Sequence, residues 1–148
     1  LTPYGNGYHY VIASTQGQNG GIVKDSLLIL WSGASTIDSI IPGSLNVPHA
    51  GTQRIDFKVC DQFGNTLSKG TTISVSTTGV QAEVAFGLGG SFTIARDINF
   101  PPGAATRYAC FVSDSRPDTN YATSATLAIS VSSEGNGNAT ATIGGIIR

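Results

Sequence analysis

The chain of 148 residues carries a net charge of −1, and only 11% of its residues are charged, about half the share of an ordinary soluble domain. With no basic run and no apolar stretch near the roughly 20 residues of a membrane span, nucleic acid and membrane insertion are not expected. Its 19 glycines and abundant Ser, Thr and Asn suit strands and turns, and so low a charge density leaves little repulsion between copies.

The predicted elements are almost all strands. Tyr8 to Ala13 reads as the first, followed by a flexible run, Gln16-Gly17-Gln18-Asn19-Gly20-Gly21. Ser26 to Ser32 is a short apolar run, the pattern of a strand buried on both faces, with Trp31 as a core anchor. Ser44 to Pro48 is an edge-type strand closed by proline. Thr52 to Cys60 alternates, with Ile55, Phe57 and Val59 inward and Asp56 and Lys58 outward. Asp61 to Asn65 is a turn in which Gly64 and Asn65 tolerate positive φ. Thr72 to Thr77 and Gln81 to Phe86 are strands, and a glycine-rich turn follows at Gly87, Gly89 and Gly90. Thr106 to Ser113 is a strand closing on the turn Asp114-Ser115-Arg116-Pro117-Asp118. Ser124 to Ser132 alternates Ala125, Leu127, Ile129 and Val131 against small polar residues. Gly135 to Asn138 is a turn, and Ala139 to Ile147 is the last strand. No segment sustains helical apolar spacing. Eight to ten short strands at regular turn spacing predict an antiparallel β-sandwich or barrel.

Phe57-Lys58-Val59-Cys60-Asp61-Gln62-Phe63-Gly64-Asn65, continued through Gly70-Thr71-Thr72-Ile73-Ser74-Val75, resembles the strand–turn–strand hairpin of bacterial immunoglobulin-like domains, the repeats of invasin- and intimin-type surface proteins. Phe111-Val112-Ser113-Asp114 is similar to a second use of the strand-ending element. The resemblance implies an immunoglobulin-like sandwich of about 8–10 strands, placed outside the cell. It says little of activity, because such folds host many functions. The chain opens at Leu1 without an initiator Met or an apolar leader, which fits a secreted chain whose signal peptide has been removed, or a piece of a longer one.

Candidate chemistry is sparse. Cys60 and Cys110 do not have metal-ligand spacing and form a candidate disulfide, although strand parity turns Cys60 outward with Lys58 while Cys110 faces in; a bulge would reconcile them. His9 and His49 lack a sequence pattern for a nucleophile partner. Asp61, Asp114 and Asp118 occupy turns, where Asp caps its own backbone. Asp114, Asp118 and Asn120 also form a weak calcium candidate, without EF-hand spacing. Gly87-Leu88-Gly89-Gly90 lacks the lysine and helix of a phosphate loop. No cofactor and no catalytic residue is expected, and an enzyme is not the reading.

The distinctive feature is the N-terminal stretch. Residues 1–24 read as a strand extension and flexible linker, and 25–148 as the sandwich. In the extension Tyr8, Tyr10 and Ile12 share one face, with His9, Val11 and Ala13 on the other. Both faces are fit for burial, so the stretch either folds back on its own sheet or fills the edge of a neighbour. The preferred expectation is a structural subunit of an extracellular filament or surface layer, polymerising head to tail with copies of itself by strand donation through Tyr8, Tyr10, Val11 and Ile12. The alternatives are a spacer or adhesion module of a larger surface protein, or a carbohydrate-binding module presenting Tyr4, Tyr8, Tyr10 and Tyr121 to host or cell-surface glycans.

Overall fold

The computed structural model describes residues 7–79, 82–95, 106–116 and 121–148. Its strands are β1 (Gly7–Gln16), β2 (Ile22–Trp31), β3 (Ser35–Ile41), β4 (Leu45–Val47), β5 (Thr52–Asp61), β6 (Thr72–Thr78), β7 (Ala82–Ala85), β8 (Ser91–Thr93), β9 (Arg107–Asp114), β10 (Thr123–Ser133) and β11 (Gly137–Ile147). Nine of them build an immunoglobulin-like β-sandwich of two sheets, ordered β4-β11-β10-β6-β8 and β3-β5-β9-β7. β1 and β2 form a separate two-stranded sheet.

The period-two pattern decides which face each strand buries. β10 sinks Ala125, Leu127, Ile129 and Val131 and leaves the residues between them partly exposed. β5 buries Ile55, Phe57 and Val59 against them from the opposite sheet. Aromatic rings tie the two layers together. Phe57 of β5 lies 5.9 Å from Tyr108 of β9 and 5.7 Å from Phe86, and Tyr108 in turn meets Phe92 of β8 at 5.7 Å. Offset and tilted ring pairs at such spacings add to the burial of their area.

Two connections make this topology immunoglobulin-like. The first strand is split between the sheets: β3 pairs antiparallel with β5, is bulged between Asp38 and Ile41, and passes Pro42 and Gly43. The chain then runs on as β4, parallel to β11 in the other sheet. The second is the segment read from sequence as a hairpin. β5 and β6 lie in different sheets, so Phe57 to Val75 is an arch from one layer to the other. Gly64 takes φ 83 at its crest, and Asn65 is not among the positive-φ residues.

Several sequence expectations are corrected here. Ser26 to Ser32 is not a strand buried on both faces: it is the inner part of β2, and Leu27 is 64% exposed. Trp31 is half-buried outside the core cluster. Gln16 to Gly21 is a closed turn, and the boundary drawn at residue 24 falls inside β2. β3 and β8 were not predicted, because β3 is bulged and β8 is three residues long between glycines and Ile94.

The candidate disulfide is not formed. Cys60 and Cys110 are both buried free thiols. Cys110 pairs with Ile55 across β5 and β9, and Cys60 lies five residues further along β5, about 16 Å away at 3.3 Å per residue. A disulfide tolerates a Cα separation of no more than about 7 Å. Parity does turn Cys60 away from Val59, but that face is covered at this end of β5, where its sulfur lies 3.6 Å from Thr36 Oγ1. Burial pushes the Cys110 thiol up to about 11, which leaves almost no reactive thiolate at neutral pH. Native protein is therefore expected to resist iodoacetamide at pH 7.5. After unfolding without reductant it should take up two labels by mass spectrometry, and no label would restore the disulfide.

Candidate functional site

The element that the sandwich does not account for is the β1–β2 ribbon. It pairs in unbroken register from Gly7 opposite Trp31 to Gln16 opposite Ile22. Its turn is closed by Gly17 N–H donating to Gly21 O at 2.7 Å and Gly20 N–H to Gly17 O at 3.0 Å. Neither strand has more than marginal contact with any strand of the sandwich. Alternation puts Tyr10, Ile12 and Leu28 on the even-numbered face, and Val11, Leu27 and Ile29 on the odd one. Tyr10, Ile12 and Leu27 are each at least 64% exposed. A two-stranded ribbon is at best marginally stable in water by itself. On the odd face His9 Nε2 is shielded from water, with no hydrogen-bond partner among the described residues.

The base of the ribbon is hydrogen-bonded to the sandwich. Between β2 and β3 the chain is gripped on both sides at Gly33. Its N–H donates to Asp61 Oδ2 at 2.9 Å, and its carbonyl accepts from Asn136 Nδ2 at 2.8 Å. One step earlier Ser32 Oγ donates to the carbonyl of Thr66, and two steps later Ser35 N–H donates to the carbonyl of Asn136. Asp61 is 1% exposed and also accepts from Phe63 N–H, Asn65 N–H and Asn65 Nδ2. Burial pushes its carboxyl up, but the donors from Gly33, Asn65 and Phe63 outweigh burial and hold it below the usual aspartate value. Asn136 Oδ1 accepts from Ser68 Oγ and Ser133 Oγ, and Ser133 Oγ accepts from Thr71 Oγ1. The β5–β6 arch, the β10–β11 turn and the incoming chain thus form one polar knot.

A second tie closes the opposite end of the sandwich. Arg116 donates to Asp114 through Nε at 2.7 Å, to the carbonyl of Tyr121 at 2.8 Å and to that of Arg148 at 2.7 Å. Asp114 also accepts from Ala50 N–H and lies 3.6 Å from His49 Nδ1. Its side-chain hydrogen bond with Arg116 holds the Asp114 carboxyl far below the usual aspartate range.

The sequence candidates are distributed as follows. Tyr10, Val11 and Ile12 stand on β1, already paired with β2 of the same chain; Tyr8 pairs with Leu30 in that register. Tyr4 lies outside the described residues, Tyr10 stands on the ribbon, and the carbonyl of Tyr121 accepts from Arg116 at the second tie. Of the weak calcium candidate, Asp118 and Asn120 lie outside the described residues. Asp114 is committed to Arg116, and no group of three or more acidic, His or Cys side chains among the described residues is placed to hold a metal. An open groove of about 170 Å³ lined by Ala13, Thr15, Val23 and Asp25 lies on the odd face, below the usual range of small-molecule sites. The mounting role of Asp61 and Asn136 was missed from sequence. Each signals only a local turn, and the partner, Gly33, is 28 and 103 residues away.

Replacing Asp61 by Ala leaves the buried N–H groups of Gly33 and Phe63 without their acceptor, and is expected to cost about 3 kcal/mol of unfolding free energy in urea titration. The acid limb follows from the same group and Asp114. Both carboxyls are held below their ordinary value of 3.8, so their contribution is full above that pH and is lost as pH falls through the lower folded values. Thermal melts should be nearly flat from about pH 8 to 5 and fall steeply below about pH 4. The acid fall should be shallower in Asp61→Ala; a melting temperature that rises on acidification would contradict the assignment.

No protein-family model matches the chain, and no curated protein sequence does. Among solved structures it is similar to domains 4 and 5 of the S-layer protein SbsC, with TM-score 0.46 and 12% identity over 95% of this chain and 70% of that one. It is also similar to the S-layer protein rSbsC(31-844), with TM-score 0.46 and 11% identity, and to SbsC domains 1–6, with TM-score 0.45 and 12% identity. Both cover 95% of this chain and 20% of the other.

Proposed function

We propose that this chain is a structural, non-catalytic module of an extracellular surface assembly, joined to its neighbour through the β1–β2 ribbon. One observation carries the reading: a ribbon with Tyr10, Ile12 and Leu27 exposed stands on a base in which both the N–H and the carbonyl of Gly33 are hydrogen-bonded. A side chain set that small domains normally bury stands on strands that make no more than marginal contact with those of the sandwich. This is the arrangement of a connector.

The closed state of the sandwich bears on how the joint is made. Strand donation of the pilin kind needs an acceptor whose core lacks a strand. Here one edge of the core is already closed by the chain's own β4 and β11, which bury Leu45, Val47, Ile143 and Ile147. Joining through the ribbon's faces, or through the free edge of β1 or β2, fits this better than insertion of β1 alone into a vacant groove. Head-to-tail polymerisation of identical subunits and attachment within a larger surface protein are both joints of this class.

Lys24 supplies the test, since it lies in β2 on the exposed ribbon. Trypsin is expected to cut after Lys24 in the isolated chain while the sandwich stays intact. In native surface material the same bond should survive, by mass spectrometry of the released peptides. Equal cleavage in both would remove the joint.

A further inference from the structure

We infer that the β1–β2 ribbon is the closing hairpin of a second immunoglobulin-like sandwich upstream in the parent polypeptide, the counterpart of β10–β11 here, with its odd-numbered face in that sandwich's core. The inference rests on the joint reading above and specifies what fills the joint.

The chain carries its own template for this hairpin. Ser132-Ser133-Glu134-Gly135-Asn136-Gly137 closes β10–β11, and Ser14-Thr15-Gln16-Gly17-Gln18-Asn19-Gly20 closes β1–β2. The order is the same: Ser, a hydroxyl residue, Glu or Gln, Gly, then Asn-Gly, with one residue inserted. The second glycine of each motif takes the same backbone conformation, φ 78 at Gly20 and φ 72 at Gly137. The paired strands are 10 residues long in the ribbon and 11 in β10–β11. Both are longer than any edge strand of the sandwich, about 33 and 36 Å at 3.3 Å per residue.

Aligned on the motif, Val11, Ala13 and Thr15 take the places of Ile129, Val131 and Ser133. Those three are buried in the core of this sandwich. Leu27 faces Val11 across the ribbon as Ala141 faces Ile129 across β10–β11. The even-numbered face carries the polar Ser14, Gln16, Lys24 and Ser26 on the turn half, with Ile22 beside them, and Tyr10, Ile12 and Leu28 further from the turn, so it is the motif alignment that assigns the odd face inward. Asp25, the one charge on the odd face, lies toward the turn end. The position in the chain agrees as well. β11 leaves the sandwich at the end remote from its turn, and β2 delivers the chain to Ser32–Ala34 at the end remote from Gly17–Gly21.

A second copy of this chain does not offer the slot. Its β10–β11 pair is in place, with β10 bonded to β6 and β11 to β4. The occupant is therefore a sandwich that lacks a closing hairpin of its own because it is covalently continuous with this one.

The test compares the 148-residue chain with the parent polypeptide extended upstream by about 100 residues, the size of one such domain. Amide exchange of residues 7–31 is read in both, as monomers. In the shorter chain the ribbon is expected to exchange close to the unprotected rate. In the extended monomer it should slow by about 100-fold or more, as core strands do. Leu27→Asp should abolish that protection and Ser26→Asp should leave it, because only Leu27 faces inward, while neither changes exchange in β5 or β10. A gene with no upstream sandwich, or an extended monomer with a fast-exchanging ribbon, overturns the inference. Protection that arises in the shorter chain only on self-association also overturns it but leaves the joint reading standing. Protection in the shorter chain as a monomer overturns both.

Discussion

The carboxylate of Asp61 is the constraint on which the rest of the molecule depends. A buried charge is costly unless its lone pairs are filled, and Asp61 fills them with donors from three directions. Two come from its own arch, at Phe63 and Asn65, and one from Gly33, which belongs to a different part of the chain. The arch that carries the chain from one sheet to the other and the segment that brings it into the fold are therefore set by the same anion. Asn136 makes the corresponding grip from the β10–β11 turn. Bonds to a charged acceptor are stronger than neutral ones, so the entry of β3 into the sandwich is held by the strongest bonds at this end.

The opposite end is tied by the same economy of charge. With so few ionisable residues, the fold uses one buried Asp114–Arg116 pair to bind the β9–β10 turn and the backbone of Arg148 together. Arg148 is held again through its own N–H to Val47 and its side chain to Asn46. The incoming and outgoing chain are thus anchored at opposite ends, separated by the length of β11, about 36 Å at 3.3 Å per residue.

How much of this was legible in the sequence follows from the range of the interactions. The β5, β6, β9, β10 and β11 strands were readable because alternation is a local signal, and Ile55-x-Phe57-x-Val59 states its buried face without reference to the rest of the fold. The sheet assignment of Phe57 to Val75 was not readable. A hairpin and an arch share the same strand–turn–strand pattern and differ only in which neighbours accept the backbone bonds. Cys60 shows the same limit: parity placed it on the outer face, but only the tertiary structure buries that face. The SLLILWS segment misled for an instructive reason. A two-sided apolar strand usually means burial on both sides within one chain, and β2 has the composition of such a strand without the cover.

That mismatch is informative because the sandwich manages its other hazards. Its edge strands are blunted in the usual ways: β4 and β8 have three residues each, β7 has four, Pro48 follows β4, and β3 is bulged. A sequence under pressure to keep apolar surface and open strand edges hidden, and which does so on both sheets, would not be expected to leave ten-residue strands with Tyr10, Ile12 and Leu27 in water. Nor is the exposure softened by charge, since Lys24 and Asp25 are the only ionisable residues of β2 and both lie near the turn. The ribbon breaks the rules that the rest of the molecule keeps, and it does so while its base is hydrogen-bonded to the sandwich on both sides at Gly33. Local inconsistency is thereby concentrated in one element, in a molecule whose other elements agree with their surroundings.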